Sequence, residues 1–267
     1  MGPIGIRGLG THMPDEENKM PLFEHLEELR SRLLYCCLAV GVGFVISYFF
    51  KDTIFLLLVK PWVNAMPPGQ PAKLIYTAPQ EAFFVYMKVS FISGTLLAAP
   101  VILWQIWRFV APGLYSNEKR YILPVIFCSS FCFVSGVMFG YFVVMPVALK
   151  FFASFSSEYI TAMPRTSEYL AFANKMLLCF GIAFQLPVFA FFLAKLGLIS
   201  SDFLKRKRKW AIVLIFVAAA VLTPSPDVVS QLLMAMPLLV LYEASVWIAH
   251  FFGSKPLKAE GADSSAN

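Results

Sequence analysis

Six long apolar stretches constrain this chain more than any other feature of its sequence. Of its 267 residues, 58% are hydrophobic and 14% are charged, whereas soluble domains contain about 25% charged residues. A soluble fold could not cover so much apolar surface, but lipid as solvent removes that requirement. Because a helix of about 20 residues crosses the hydrocarbon core, we predict an all-α polytopic membrane protein with six transmembrane helices. The predicted spans lie near residues 33–50, 82–104, 121–149, 169–195, 210–223 and 228–249.

Basic residues are distributed unevenly between the two sides of this predicted bundle. Fourteen of the 22 Lys and Arg residues lie on the side of the N-terminus, and five lie on the opposite side. Cytoplasmic loops carry the excess of basic residues in membrane proteins, so we predict that both termini are cytoplasmic. The basic run 205–209 is expected to anchor this orientation at anionic lipid rather than to bind nucleic acid.

The domain organisation follows from the same pattern. Residues 20–252 are predicted to form one membrane domain, and no internal repeat or linker divides it. Residues 1–19 are expected to be a disordered or foreign extension, and residues 253–267 a disordered cytoplasmic tail. The exterior segments 51–80 and 150–168 are long enough to form two caps, with Pro67 among the residues that break a helix in the first.

The fifth and sixth spans are predicted to be short. Trp210 to Leu222 is 13 residues, and Val228 to Tyr242 is 15 residues before Glu243 interrupts the apolar run. At about 1.5 Å per residue, both would fall short of a hydrocarbon core about 30 Å thick. The alternative is that both helices are longer, with the basic run snorkelling and Glu243 buried against a neighbour.

The segment before the first span is predicted to be an amphipathic helix lying in the cytoplasmic interface. Leu26, Leu29 and Leu33 recur at helical spacing, and Glu28 lies on another face of the same helix. Glu28 is a candidate binding residue. Its structural alternative is a simple ion pair with Arg32 at i,i+4, which contributes about 0.2–0.5 kcal/mol.

The first cytoplasmic loop, within residues 100–120, contains a second cluster. Trp104 and Trp107 suit the lipid headgroup layer. Ser116 can cap the third span, and Glu118 lies in its first turn, where a carboxylate stabilises the helix dipole. That dipole role would by itself explain Glu118.

Two further polar positions interrupt apolar segments. Gln185 lies within the fourth span beside Pro187, and a polar side chain at that depth usually joins helices rather than performing chemistry. In the last exterior hairpin, Ser225 is a candidate helix cap and Asp227 is expected in the first helical turn.

Signatures of enzymes are missing from the sequence. It has no nucleotide-binding glycine loop, no HExxH spacing and no nucleophile elbow, and its five cysteines lie inside apolar runs without metal-type spacing. We therefore predict no catalytic site, no metal and no cofactor, and expect a receptor or scaffold. The main alternative is a small-solute secondary transporter, although the sequence lacks the matching interrupted helices in two halves that such transporters usually show. The second alternative is an intramembrane enzyme.

Several strings of this sequence resemble the TatC family, the core subunit of the twin-arginine protein translocase. The resemblance runs from about residue 20 to residue 250. The strings that carry it are EHLEELRSRL (24–33), PVILWQIWRFVAPGLYSNEKR (100–120), YFVVMPVALKF (141–151), FGIAFQLPV (180–188) and LTPSPDVVSQLLMAMPLLVLYE (222–243).

The resemblance implies a multi-pass receptor of the bacterial inner membrane that binds signal peptides carrying paired arginines. It also implies assembly with single-span TatA/TatB-type subunits and other copies of itself, and export of folded proteins driven by the proton-motive force without a cofactor. The family positions for signal-peptide binding match Glu28, Arg30, Arg32, Phe109 and Glu118.

Three further positions match family residues with a partner-docking or structural role. Pro61 matches a proline of the first exterior cap, and Asp227 matches the acidic residue of the last hairpin. The family commonly has Glu where this chain has Gln185, which carries no titratable proton. We therefore expect Gln185 to act as a neutral hydrogen-bonding anchor for a partner helix.

The charge asymmetry makes a testable prediction about topology. Single cysteines introduced near residues 68 and 160 should react with an impermeant thiol reagent added outside intact cells, because both positions lie in predicted exterior loops. Cysteines at residues 116 and 203 should stay protected. Labelling at residue 116 from outside would overturn the predicted orientation.

Overall fold

The computed structural model describes residues 20–67, 73–110, 122–156, 162–223 and 227–253, and these fold into helices joined by short connections. The predicted all-α class is confirmed, and extended pairing within the described residues is limited to one bridge between Ile75 and Arg165. The predicted N-terminal extension and all of the predicted tail after residue 253 lie outside the described ranges. The helices are α1 (Met20–Phe49), α2 (Lys51–Ala65), α3 (Glu81–Val110), α4 (Ile122–Phe139), a π-helical turn (Gly140–Val144), α5 (Met145–Ala153), α6 (Thr166–Ala183), α7 (Leu186–Lys195), α8 (Ser201–Leu222) and α9 (Val228–Phe252).

Five helical segments are long and apolar enough to cross a membrane, as judged by length and composition. They contain the predicted spans one to four and six. The predicted fifth span lies in α8, which has 22 residues and begins with the charged segment before Trp210. The five segments are Leu26–Phe49, Glu81–Phe109, Leu123–Ala153, Thr166–Lys195 and Val228–Phe252.

The sequence predicted a separate interfacial helix before the first span. In the structure this segment is instead the beginning of α1. This helix runs without interruption for 30 residues, or about 45 Å, which exceeds the thickness of the hydrocarbon core. The reason is visible in the sequence: no Gly or Pro lies between Pro21 and Gly41, so nothing ends the helix before the span begins. Helix α1 is thus long enough to extend beyond the apolar layer, and the end that carries Glu28 is its charged end.

The sixth span is longer than predicted. Helix α9 continues past Glu243 and has 25 residues in all, which corresponds to about 37 Å. Arg208 Nη2 on α8 donates to Glu243 Oε2 at 2.7 Å, and both side chains are about half exposed, at 45% and 43%. The hydroxyl of Tyr242 also donates to the Leu204 carbonyl at 2.7 Å. Glutamate is a good helix former, and the ion pair with Arg208 gives its charge a partner. For the sixth span, the structure therefore supports the alternative of a longer helix, with Glu243 paired rather than buried.

Helix α2 forms the first exterior cap and is tied to the bundle through Pro61. Proline has no N–H, so the carbonyl of Leu57, four residues earlier, lacks its usual helical donor. The hydroxyl of Tyr141 donates to that carbonyl at 2.8 Å, and the hydroxyl of Tyr169 donates to the next carbonyl, Leu58, at 2.6 Å. The third and fourth spans thus hold the cap helix.

The two exterior segments are joined around Glu81 at the start of α3. Its buried carboxylate accepts hydrogen bonds from Thr77 N at 3.0 Å and Ser167 N at 3.3 Å, and Arg165 Nη2 lies 3.3 Å away. Beside it, Thr166 N donates to the Ile75 carbonyl at 2.8 Å. The predicted pair of caps therefore forms one connected structure.

Helix α1 packs mainly against α3, through a close approach of two glycines. A methyl group added to Gly43 would overlap the carbonyl oxygen of Gly94, and one added to Gly94 would overlap the backbone of Phe44. Small residues allow transmembrane helices to approach at backbone distance. The rest of α1 is largely exposed apolar surface, so this crossing fixes the position of the helix.

The glycine crossing generates a prediction. Gly43→Ala should destabilise the protein by about 1–3 kcal/mol, the usual cost of overpacking, because backbone atoms cannot yield as a flexible side chain does. Gly41→Ala is the matched control, since a methyl group there would meet nothing within 4 Å. Thermal unfolding of the purified proteins in detergent measures both. Equal melting temperatures for the two variants would contradict the packing argument.

Candidate functional site

The candidate binding residue Glu28 lies on α1 and is engaged by Arg32 one turn later. Arg32 Nε donates to Glu28 Oε1 at 3.0 Å, and its Nη2 donates to the same oxygen. Arg32 Nη1 also lies 3.5 Å from Gln105 Oε1 on α3. The Arg32 side chain is 15% exposed and the Glu28 side chain 31% exposed. The structural alternative raised from sequence, an i,i+4 pair, is therefore present, and it also links two helices.

The other candidate binding residues differ in how close they lie to the Glu28–Arg32 pair. Phe109 is half-buried near the end of α3, four residues after Gln105, and therefore lies on the same face one turn further along. Arg30 is exposed and lies about 200° around α1 from Glu28, at about 100° per residue. Glu118 lies outside the described residues. The structure thus brings together Glu28, Arg32 and the helix end that carries Phe109, and separates Arg30 from them.

This arrangement is suited to binding a guanidinium group. A carboxylate can accept about four hydrogen bonds and can hold arginine through two of them. Glu28 already accepts two N–H groups of the Arg32 guanidinium, both at its Oε1 atom. Chemically, the site can recognise a cationic, fork-shaped group near the end of the bundle where α1 projects from the membrane.

Gln185 occupies a different place, inside the bundle at the break between α6 and α7. It is 5% exposed, and its Nε2 donates to the Ser129 carbonyl on α4 at 2.9 Å. Trp107 Nε1 on α3 donates to the Ser129 hydroxyl at 2.7 Å. Among the described residues the Gln185 Oε1 atom has no hydrogen-bond partner. These contacts join the second, third and fourth spans.

Trp107 corrects an expectation drawn from the sequence. It was assigned to the headgroup layer together with Trp104, yet it is only 2% exposed. Its ring stacks on Phe189, with centroids 5.0 Å apart, and meets Phe192 edge to face. The hydrogen bond to Ser129 satisfies the indole N–H, which allows the ring to be buried.

The two remaining candidates have structural contacts. Pro61 is buried in α2 and frees the carbonyl that Tyr141 binds. Asp227 is the N-cap of α9, and its Oδ1 accepts from Ser230 N at 2.7 Å. It therefore precedes the helix instead of lying in the first turn, and it takes the capping role expected of Ser225. It fixes where α9 begins.

Sequence reasoning missed Gln105, Ser129 and Glu81. Gln105 offered a signal, because it is a polar residue in an apolar helix, one turn before Phe109. Ser129 offered little, since a serine in an apolar run usually donates to its own helix. The described residues contain no group of three or more His, Cys, Asp or Glu side chains that could hold a metal ion.

Comparison with known proteins gives a consistent result along most of the chain. The family model described as Sec-independent protein translocase protein (TatC) matches residues 24–237. The Sec-independent protein translocase protein TatC of Desulforapulum autotrophicum is 52% identical over 243 residues, which cover 91% of this chain and 89% of that protein. The protein of the same name from Magnetococcus marinus is 44% identical over 249 residues, covering 93% and 91%.

Solved structures agree with the sequence comparison. A crystal structure described as the twin arginine translocase receptor TatC superposes with a TM-score of 0.77 at 39% identity, covering 84% of this chain and 97% of that one. A second crystal structure of that receptor, in the detergent DDM, gives a TM-score of 0.76 at 38% identity, covering 84% and 99%.

The buried contact of Gln185 yields a pH prediction. A glutamate at this position has no N–H and can donate to the Ser129 carbonyl only when protonated. Gln185→Glu should therefore retain its stability at low pH and lose about 1–3 kcal/mol as the pH rises and the buried carboxylate loses its proton. Melting temperatures between pH 5 and pH 8 measure the effect.

Gln231→Glu provides the matched control. Gln231 Nε2 also donates to a backbone carbonyl, that of Phe216, at 2.9 Å, but its side chain is only half-buried. The pH dependence should be smaller there. If Gln185→Glu follows the parent protein across this pH range, the hydrogen bond to Ser129 has no importance for stability.

Proposed function

Because the chain belongs to the TatC family and is a component of the Sec-independent protein translocase, we propose that it is the receptor subunit, which binds twin-arginine signal peptides at the end of the bundle that carries Glu28. Glu28 and Glu118 are the acceptors of the paired arginines in this proposal. Arg30, Arg32 and Phe109 line or orient the same site. The geometry of the Glu28–Arg32 contact is the observation that carries the proposal.

The chemistry of arginine supports this assignment. Its planar guanidinium offers a fork of N–H groups that a carboxylate can grip with two hydrogen bonds, and lysine cannot reproduce that geometry. Glu28 is partly exposed at the projecting end of α1, within reach of a peptide lying at the membrane surface. Gln105 holds Arg32 against α3, which keeps Glu28 near the helix end that carries Phe109.

Charge recognition alone is too weak for tight binding. A hydrogen bond to a charged group contributes about 1.5–3 kcal/mol, so two arginine contacts give roughly 3–6 kcal/mol, against about 8 kcal/mol for micromolar binding. The apolar part of the signal peptide must supply the remainder against helix faces or lipid. In this proposal the carboxylates select the peptide, and apolar contact retains it.

The proposal extends to assembly and energy supply. Single-span TatA/TatB-type subunits and further copies of this chain pack on its lipid-facing helices, and the proton-motive force drives export of folded cargo across the bacterial inner membrane. Helix α1 supports this, because it contacts mainly α3 and exposes apolar residues along most of its length. Both termini lie in the cytoplasm, as the charge asymmetry predicts.

The roles of Gln185, Pro61 and Asp227 are refined by their contacts. Gln185 bonds within the chain, Asp227 caps α9, and Pro61 frees the carbonyl that Tyr141 binds, which supports a structural role that shapes the docking surface for partner helices. The amide donor of Gln185 is used internally by Ser129, so Gln185 is proposed to position the fourth span rather than to anchor a partner directly. Because glutamine carries no titratable proton, proton coupling does not pass through this residue.

Peptide binding tests the proposed receptor site. Replacing Glu28 or Glu118 with Ala should weaken binding of a twin-arginine signal peptide by about 10- to 150-fold, the equivalent of about 1.5–3 kcal/mol. Fluorescence anisotropy of a labelled peptide with the purified protein measures this change. A peptide with two lysines in place of the arginines should bind the parent protein weakly.

Glu27→Ala is the matched control, because Glu27 is an exposed neighbour on the same helix. It removes the same charge one residue away and should change the affinity little. If the Glu28→Ala/Glu118→Ala double variant binds the peptide as well as the parent, the two carboxylates do not form the site.

A further inference from the structure

A cavity of about 350 Å³ lies between the cap helix α2 and the third span, on the side of the molecule opposite the N-terminus. Lys60 and Asn64 of α2 and Lys150 of α5 line its polar part. Leu57 and Phe142 contribute to its apolar part. The cavity therefore combines two cationic side chains from different helices with an apolar wall.

The two lysines differ from Lys51 and Arg165, which lie on the same side and have partners. Lys51 lies over the ring of Tyr48, 4.6 Å from its centroid, and Arg165 pairs with Glu81. Within the described parts of the chain, neither Lys60 nor Lys150 forms an ion pair, and no acidic side chain lines the cavity. Its positive charge is thus not neutralised by the described residues around it.

The cavity borders lipid. Leu57 is 54% exposed and Phe142 is 65% exposed, and large apolar side chains with such exposure in a membrane protein face acyl chains. Lys150 lies near the end of the third span and Lys60 on the cap that covers it. The cavity therefore lies where headgroups meet the hydrocarbon layer.

We propose that this cavity binds the headgroup of an anionic phospholipid from the outer leaflet. The phosphate lies between Lys60 and Lys150, the Asn64 amide donates to a headgroup oxygen, and an acyl chain runs along Leu57 and Phe142. Basic pockets between transmembrane helices bind anionic headgroups through the same chemistry. The bound lipid would bridge the cap helix and the third span, next to the Tyr141–Leu57 hydrogen bond.

Lipid selectivity tests the proposal. The full chain is purified in detergent, and binding of phosphatidylglycerol and phosphatidylcholine is compared by native mass spectrometry. The parent should retain phosphatidylglycerol preferentially. Each Lys→Gln change should weaken this binding about 5-fold, and Lys60→Gln/Lys150→Gln together about 30-fold, from about 1 kcal/mol per lysine near a charged lipid. Lys60→Arg/Lys150→Arg should preserve the preference.

Lys73→Gln is the matched control, because Lys73 is an exposed lysine on the same side that does not line the cavity. An equal loss in this control would show nonspecific attraction and overturn the proposal. So would an unchanged preference in the double Gln variant, or a loss in the double Arg variant equal to that in the double Gln variant. Displacement of the lipid by millimolar inorganic phosphate would reassign the cavity to free anions.

Discussion

Proline deprives a helical carbonyl oxygen of its donor, and three irregular places in this architecture lie at or beside a proline. At Pro61 the hydroxyl of Tyr141 supplies the missing donor from another span. Before Pro146 the chain changes to a π-helical turn, in which Met145 N donates to the Gly140 carbonyl. Near Pro187 the helix breaks, and Gln185 bonds to a neighbouring helix. At Pro61 and near Pro187 the irregularity is accompanied by a contact that joins two parts of the bundle, whereas the π-helical turn is closed by a hydrogen bond within its own segment.

The two ends of the molecule differ in how firmly their segments are tied to the spans. On the side of the caps, Glu81 and two tyrosine hydroxyls tie loops and cap helix to the spans, so that end is a connected scaffold. On the opposite side, the charged first turns of α1 carry Glu28, which Arg32 links to Gln105 of α3. Rigidity at one end and accessible charge at the other fit a receptor embedded in lipid.

The sequence was sufficient to predict the features that depend on hydropathy. It was not sufficient for features that depend on contacts between residues far apart in the chain. The helical class and the positions of most spans followed from apolar runs, since lipid leaves few alternatives for the backbone. The uninterrupted course of α9 did not, because the Arg208 partner of Glu243 lies 35 residues away. The burial of Trp107 depended on Ser129 and Phe189 in other helices. The resemblance supplied Glu28 as a candidate, but only the structure showed that Arg32 links it to α3.

The contact between Glu28 and Arg32 has a consequence for discrimination. In the proposed receptor, an incoming arginine meets a carboxylate that already accepts hydrogen bonds from Arg32, so part of its binding free energy offsets the weakening of that internal pair. A peptide with a single arginine therefore gains less at Glu28 than it would at a carboxylate with no arginine beside it. The second arginine of a pair adds a further contact, so competition from Arg32 within α1 favours peptides with two arginines over peptides with one.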